Sequence, residues 1–325
     1  PAELVSTTSR LNNALRRLGS GWAIFVEAQR HPASAYPPGT FPDGVSNLVD
    51  FERRAQFDEA GAHYESSYYL SLVWLPPAED AARAEAWLYE GHEQLATFID
   101  RTDRVLNLVD GFMPETAWLS DIETLTYLHA TVSTHRHQVR VPETPMHLDA
   151  ILADQVLTGG LEPRLGQAHL RTLTIMGFPS QTWPGLLDDL NRLAFDYRWV
   201  TRAICLDKTD AAKVLGRIRR QWFAKRKSIA AMLKEIMTNE ASALMDSDAA
   251  NKAVDADMAL QELGSDLVGA AYVTATVTIW NDDPRIADER LRLVEKVIQG
   301  RDFTCMVERV NAVEAWLGSL PGHVY

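Results

Sequence analysis

Residues 270–310 read AAYVTATVTIWNDDPRIADERLRLVEKVIQGRDFTCMVERV, and this stretch decides the fold. From Ala270 to Trp280, threonines alternate with apolar residues, and a period of two predicts a strand. Pro284 to Gln299 has apolar residues at helical spacing, with an aspartate before it that can cap a helix and a glycine after it that can end one. Phe303 to Val310 predicts a further strand. The stretch is therefore a β-α-β unit.

A similar unit precedes this one. Leu170 to Met176 alternates as a strand, Trp183 to Leu193 has leucines at helical spacing, and Tyr197 to Leu206 predicts another strand. Two such units in tandem are the ferredoxin-like, double split βαβ pattern. The segment between them, Thr209 to Gly264, is too long for an ordinary connection. We therefore predict a helical hairpin inserted into a ferredoxin-like frame at about residues 209–264.

The apolar residues of the insert predict how its two helices pack. Those of the first helix fall on one face, which indicates packing along its length; they are Leu215, Ile218, Trp222, Ile229, Leu233 and Ile236. In the second helix, Val254, Met258 and Leu263 are predicted to point toward the first.

The N-terminal part of the sequence is less regular. We predict two strands, at Gly21–Ala28 and Tyr64–Trp74, and helices within Asp80–Asp110 and Asp121–Ser133. Val139–Pro142 is predicted to be a short edge strand, since proline cannot donate to a sheet ladder. The fold class is thus α+β, with a smaller α+β subdomain at residues 1–145 followed by the ferredoxin-like subdomain at 146–325.

The charge balance argues against a protein that coats nucleic acid. The chain has 32 basic and 44 acidic residues, a net charge of −12, whereas neutralising phosphates requires an excess of lysine and arginine on the contact face. Only Cys205 and Cys305 occur, each in an apolar run, which predicts buried thiols in a reducing compartment.

No segment predicts export or membrane insertion. Pro1–Leu4 has neither the basic nor the apolar region of a signal peptide, and the apolar run Leu267–Trp280 is shorter than a spanning helix requires. We expect a protein on the cytoplasmic side that reaches a membrane only through another subunit.

The sequence lacks the motifs of common nucleotide and acyl chemistry. A P-loop requires a Gly-Lys dipeptide, whose lysine reaches the phosphates, and the chain contains none. It also has no G-x-S-x-G nucleophile elbow. We therefore predict no catalytic residue and no cofactor in this chain.

Several histidines lie close together in sequence, at His129, His135 and His137, with His147 and Asp149 just beyond. An H-x-H pair can bind zinc, but the acid and further histidine of a metallo-hydrolase motif do not follow it. The pattern favours histidines that are solvent-facing or satisfied in the core at a helix end. A metal-dependent hydrolase using His129, His135, His137 and Asp149 is the alternative.

One basic cluster stands out from the acidic chain, on the first insert helix around Trp222 and Phe223. Its members are Arg217, Arg219, Arg220, Lys225, Arg226 and Lys227. Such a patch can bind nucleic acid, anionic lipid or an acidic protein surface, although a solvated helix face is the simplest interpretation. Among functional interpretations, a protein or membrane contact is favoured, and a DNA-contacting module is the alternative.

The order of six segments resembles a known family, the CagE/TrbE/VirB ATPases of type IV secretion and conjugation, and above all its TrbE-type conjugal-transfer branch. They are Leu125–His129, Gly159–Gly166, Tyr197–Trp199, Gln221–Ser228, Asn251–Asp257 and Ala315–Gly322. In that family, this region is an N-terminal domain, and Asn311–Tyr325 resembles the hinge before a RecA-like ATPase core that is absent from this sequence.

The resemblance implies a role in assembly. It implies docking onto a small inner-membrane subunit of the TrbD type and onto other channel components, with self-association into an oligomer. It places the protein at the cytoplasmic face of a bacterial inner membrane, which the protein contacts only indirectly. Nucleic acid is not among the partners that the resemblance implies. ATP and Mg²⁺ are implied only for the absent motor, so no active-site position carries over to this chain.

Overall fold

The structure, a computed structural model, describes residues 2–33, 36–37, 39–59, 63–75, 87–179, 181–221, 247–266 and 268–324. Its principal helices are α1 (Ala2–Leu15), α2 (Gly44–Glu59), α3 (Trp87–Asp110), α4 (Asp121–Val132), α5 (Leu148–Leu152), α6 (208–221), α7 (Ser247–Gly264), α8 (Pro284–Gln299) and α9 (Ala312–Leu317). The strands are β1 (Trp22–Pro32), β2 (Tyr64–Trp74), β3 (Leu157–Thr158), β4 (Arg164–Leu165), β5 (Ala168–Gly177), β6 (Tyr197–Leu206), β7 (Ala270–Asn281) and β8 (Thr304–Val307).

The C-terminal strands form the predicted ferredoxin-like arrangement. Their order is β6-β7-β5, with β8 on the far side of β5, and β5 is antiparallel to both β7 and β8. In the pairing of β5 with β7, Leu173 lies opposite Val277. The α+β fold class and the split βαβ order are therefore confirmed.

Helix α8 has the predicted bounds because its ends are well defined. The Asp283 side chain accepts a hydrogen bond from the Arg285 backbone N–H at 2.8 Å, and Pro284 occupies the first turn. The helix buries Leu291, Val294 and Ile298 against the sheet. On the sheet side, the same core contains Leu173, Val277 and Ile279. This apolar layer is the core of the ferredoxin-like frame.

The first crossover is not the predicted helix. Within residues 183–193, regular structure is limited to a 3₁₀ segment at Asp188–Arg192. Gly185 has a φ of 84°, a left-handed conformation that interrupts a right-handed helix directly after Pro184. Leu186 and Leu190 are nevertheless buried in the core. The spacing of the leucines therefore identified buried positions correctly but did not indicate a regular helix.

The N-terminal strands extend the same sheet. Strands β2 and β1 continue it beyond β6, and the short strands β4 and β3 follow β5 on its other side, so that the described part of the chain forms a sheet of eight strands. The predicted strand at Gly21–Ala28 reaches Pro32, and Tyr64–Trp74 has the predicted bounds. Helices α1 and α2 were not predicted from the sequence, and several of their apolar residues, among them Leu4, Val45 and Phe51, are exposed.

The predicted edge strand at Val139–Pro142 is absent from the described structure. The Val139 backbone N–H donates to the Thr126 hydroxyl at 3.0 Å, so its hydrogen bond goes to a helix side chain rather than to a ladder. Helix α4 was predicted correctly. Its capping box joins Ser120 and Glu123, whose carboxylate accepts from the Ser120 N–H at 2.8 Å.

The insert is helical at both of its described ends, in α6 and α7. The hairpin turn was predicted near Asp246–Asp248 or slightly earlier, at Thr238–Asn239. Ser247 and Asp248 instead begin α7. The other turn positions lie outside the described residues, as do Trp222, Ile229, Leu233 and Ile236 of the predicted apolar face. In α7, Ala256 and Leu263 are buried, whereas Val254 and Met258 are at least half exposed. The buried face therefore differs from the predicted one, since Val254 and Ala256 are about 200° apart around a helix.

The chain divides into two compact units, each built from three stretches. One contains residues 1–23, 72–116 and 203–272, and the other contains 24–71, 117–202 and 273–325. The predicted subdomains at residues 1–145 and 146–325 stay a prediction. In the first unit, Trp22, Trp74 and Phe98 form an aromatic stack, with the Trp22 and Phe98 ring centroids 5.7 Å apart.

Candidate functional site

The base of the basic helix α6 is tightly held. The Asp207 carboxylate accepts a hydrogen bond from the Asp210 backbone N–H at 2.8 Å, which caps the helix, and the Ser20 hydroxyl accepts from the Asp207 N–H at 3.0 Å. The Lys208 ammonium donates to the Asp266 carboxylate at 2.8 Å and to the Gly264 carbonyl at 3.0 Å. These contacts join the start of α6 to the end of α7.

Beyond this base, α6 presents arginines to solvent. Arg217, Arg219 and Arg220 are all exposed, and Arg219 pairs with Asp257 of α7 at 2.9 Å. Within the described ranges, we find no ion pair of Arg217 or Arg220. The other predicted members of the patch, Lys225, Arg226 and Lys227, lie outside the described residues.

The second unit contains a buried ion pair between neighbouring strands β1 and β6. Arg198 donates to both carboxylate oxygens of Glu27, from Nε at 2.6 Å and from Nη2 at 3.0 Å. Both side chains are almost completely buried. A bidentate pair of this kind is held by charge as well as by geometry.

Further polar groups complete the pair. The Tyr127 hydroxyl donates to Glu27 at 3.1 Å, and the Gln29 amide donates to it at 2.7 Å. The amide oxygen of Gln29 accepts from Arg136 at 3.2 Å. Burial, and then the negative charge of Glu27, raise the pKa of Tyr127 far above its usual range, so this phenol stays protonated and donates.

Arg198 also contacts two backbone carbonyls outside the sheet. It donates to Thr131 at the end of α4 at 3.0 Å, and to Ser319 just after α9 at 3.5 Å. The Ser319 hydroxyl in turn donates to the Trp316 carbonyl at 2.6 Å. One arginine therefore connects two strands, the end of a helix and the C-terminal segment.

The C-terminal segment packs on the second unit. The Trp316 side chain is buried against Leu165 and Leu170, with Leu317 and Leu320 beside it. Arg202 donates to the His323 carbonyl at 3.1 Å. The segment that resembles a hinge before a motor is therefore an ordered part of this unit.

The structure brings together some of the predicted histidines with an acid that was not predicted. His129, His137 and Asp154 form a group whose ligand atoms all lie within 4.8 Å of one another. His129 Nε2 is 3.2 Å from Asp154 Oδ2, and His135 Nδ1 is 3.0 Å from the same oxygen.

His129 departs from the favoured interpretation. His135 and His137 are exposed, as expected, but His129 is only 1% exposed and neither of its ring nitrogens makes a directed hydrogen bond. The predicted acid, Asp149, is not part of the group; its carboxylate accepts from the Ala150 N–H at 2.9 Å. Asp154 takes its place.

Sequence reasoning missed Glu27, Gln29 and Asp154. Glu27 and Gln29 lie in the strand WAIFVEAQRHP, and Arg198 lies in YRWVTRAICL. Opposite charges inside two apolar strand patterns were a usable signal, because a charge in a buried strand requires a partner. Asp154 follows a short helix in an irregular segment, and no spacing rule identifies it.

Comparison with known proteins gives a consistent result. Residues 1–82 match the family described as type IV secretion system ATPase VirB4/TrbE, N-terminal domain. The conjugal transfer protein TrbE of Rhizobium radiobacter is 31% identical over an alignment that covers 100% of this chain and 42% of that protein.

Two Sinorhizobium fredii proteins, described as separate pieces of a probable conjugal transfer protein TrbE, are also similar to this chain. The piece named as the second is 32% identical over 203 residues, which are 62% of this chain and 30% of that protein. The piece named as the first is 44% identical over 70 residues, which are 21% of this chain and 47% of that protein.

These matches confirm the family that the sequence resembles. The chain is an N-terminal domain of an ATPase of the type IV secretion class. It belongs to the VirB4/TrbE family, with relatives named TrbE, and it spans 42% of the Rhizobium radiobacter protein. Among the helices that the structure describes, none is both long and apolar enough to cross a membrane.

Proposed function

We propose that this chain is the assembly and docking domain of the ATPase that energises a type IV secretion system or a conjugative pilus. It binds a small inner-membrane subunit of the TrbD type and other channel components at the cytoplasmic face of the inner membrane, and it associates with itself. ATP and Mg²⁺ are used by a motor domain outside this sequence, so the chain itself is not an enzyme.

The observation that carries the docking role is the arginine face of α6. The helix is fixed at its base by Asp207, Ser20 and Lys208, and it presents Arg217 and Arg220 to solvent on a chain of net charge −12. A local cationic surface on an acidic protein selects an acidic partner surface and steers its approach. This supports a protein contact better than bulk binding to nucleic acid.

The structure also identifies which arginines an experiment should change. Arg219 pairs with Asp257, so reversing its charge would disturb the contact between α6 and α7 as well as any partner contact. Arg217 and Arg220 are exposed and are the better positions. The double variant Arg217→Glu with Arg220→Glu changes the surface charge by four units (two residues, each from +1 to −1). It leaves the Arg219–Asp257 contact between α6 and α7 in place.

We expect the wild-type chain to co-purify with its TrbD-type subunit and the double charge-reversal variant to lose that capture by about tenfold or more. The reason is that like charges brought together at an interface cost several kcal/mol. The measurement is a pull-down from detergent at physiological salt, with the retained fraction quantified.

The matched control is Arg192→Glu, because the Arg192 side chain is 85% exposed and lies on the other unit. Equal capture of all three proteins would place the interface elsewhere. Salt-sensitive binding of duplex DNA that only the double variant loses would instead support the DNA-contacting alternative.

Self-association is supported by the exposed face of α2. Val45, Leu48 and Phe51 are each more than half exposed, and their spacing places them on one side of the helix. Clustered apolar side chains in solvent are typical of protein contacts. In an oligomer, this face of α2 would be covered by a second copy of the chain.

We expect the wild-type chain to sediment as an oligomer at micromolar concentration and the variant Leu48→Glu with Phe51→Glu to sediment as a monomer. Two carboxylates in the contact would be buried without partners. The control is Leu4→Glu on α1, a residue that is also half exposed. A monomeric wild type across the concentration range would contradict this part of the proposal.

A further inference from the structure

We propose that His129, His137 and Asp154 form a binding site for a divalent transition metal of the zinc type. The site lies where the end of α4 meets the irregular segments on either side of α5. It is independent of the docking role, since it belongs to the second unit and α6 belongs to the first.

The spacing of the ligand atoms fits such an ion. Two ligands of a tetrahedral zinc ion, each about 2.0–2.2 Å from the metal, are about 3.3–3.6 Å from each other. His129 Nε2 and Asp154 Oδ2 are already 3.2 Å apart, and the nitrogen of His137 lies within 4.8 Å of both ligand atoms. Small side-chain rotations of the exposed His137 would complete the set.

His129 gives the strongest reason to expect a ligand. Buried polar side chains in proteins almost always have a hydrogen-bond partner, and His129 has none at either ring nitrogen. Its Nε2 lies close to Asp154 without the alignment of a hydrogen bond. A cation between the two would give His129 Nε2 and the Asp154 carboxylate a common partner, since each would direct a lone pair at the metal.

The surroundings of Asp154 resemble a second coordination shell. His135 Nδ1 lies 3.0 Å from Asp154 Oδ2, and the His135 Nε2 lies 3.3 Å from the Gln155 amide nitrogen. The Gln155 amide oxygen accepts from the Thr134 N–H at 2.8 Å, which fixes its orientation. Ligating carboxylates are commonly held by such outer hydrogen bonds.

The donor set determines the class of metal. Two imidazoles and one carboxylate suit zinc and its first-row neighbours, whereas Ca²⁺ and Mg²⁺ prefer all-oxygen sites. Three protein ligands leave at least one coordination position open, and the exposure of His137 and Asp154 makes it accessible to water. Such an ion would tie the end of α4 to the segments around α5.

The test is a metal titration of the purified chain after dialysis against a chelator. We expect Zn²⁺ to bind at one equivalent in competition with a chromophoric chelator, and Co²⁺ to give the intense visible spectrum of a tetrahedral site. His137→Gln and Asp154→Asn should each weaken binding by about 100-fold or more, since even outer-shell changes cost up to that factor.

Matched controls separate this site from the ligand set predicted by sequence. Asp149 and His147 lie in the same stretch of chain but outside the group of His129, His137 and Asp154. The variants Asp149→Asn and His147→Gln should therefore bind zinc as tightly as the wild type does. Circular dichroism and thermal unfolding establish that each variant is folded; His137 is exposed, so its substitution is expected to leave the fold intact. Absence of stoichiometric zinc on the wild type, or equal affinity in His137→Gln, would overturn the proposal.

Discussion

Replacing Arg198 with methionine is expected to lower the free energy of unfolding by about 3–5 kcal/mol. The substitution leaves the Glu27 carboxylate in an almost fully buried position with only Tyr127 and Gln29 as donors. It also removes the donors to the Thr131 and Ser319 carbonyls. Urea denaturation monitored by circular dichroism measures the loss.

A second substitution tests the cause. In the double variant Glu27→Gln with Arg198→Met, no uncompensated charge remains, and glutamine keeps an oxygen that can accept from Tyr127. We expect it to be more stable than Arg198→Met alone, because most of the cost of breaking a buried pair is the charge left behind.

Arg192→Met is the control, because its exposed ion pair should contribute less than about 1 kcal/mol. A loss of less than about 1 kcal/mol in Arg198→Met would contradict a buried, charged pair.

Trp316→Ala is expected to have a similarly large effect, about 3–5 kcal/mol, since it removes a large buried side chain and leaves a cavity beside Leu165 and Leu170. Its second effect should be local. Backbone amides of residues 312–320 should exchange with deuterium faster than in the wild type, because Trp316 is the main apolar anchor of this segment.

Trp183→Ala is the matched control, because Trp183 is 59% exposed and its removal leaves no cavity in the core. Unchanged exchange at residues 312–320 in Trp316→Ala would mean that this segment is held by other contacts.

Periodicity predicted most of the ferredoxin-like frame. Strand β6 has the predicted bounds and α8 both begins and ends where predicted, because Asp283, Pro284 and Gly300 are local signals that tertiary contacts do not override. The antiparallel order followed from two tandem units, whose chain connections permit few alternatives. Cys205 is buried, as predicted, and burial raises the pKa of its thiol to about 11, whereas Cys305 is only partly buried.

Other features depended on contacts between distant residues. The crossover at 183–193 has helical spacing, but its backbone turns at Gly185, and only the fold shows that the leucines are buried without a long helix. The Val139 backbone N–H donates to the Thr126 hydroxyl and not to a neighbouring strand. The position of Asp154 against His129 arises from the path of an irregular segment, which no periodicity encodes.

Docking through α6 is tested most directly by hydrogen–deuterium exchange of the chain alone and in complex with its TrbD-type subunit. We expect amides of residues 208–221 to become protected in the complex and the double variant Arg217→Glu with Arg220→Glu to lose this protection. The Lys208 and Asp207 contacts at the base of α6 are retained in that variant, so a loss of protection would report the interface and not the helix. A complex that forms without any change at residues 208–221 would contradict docking through α6.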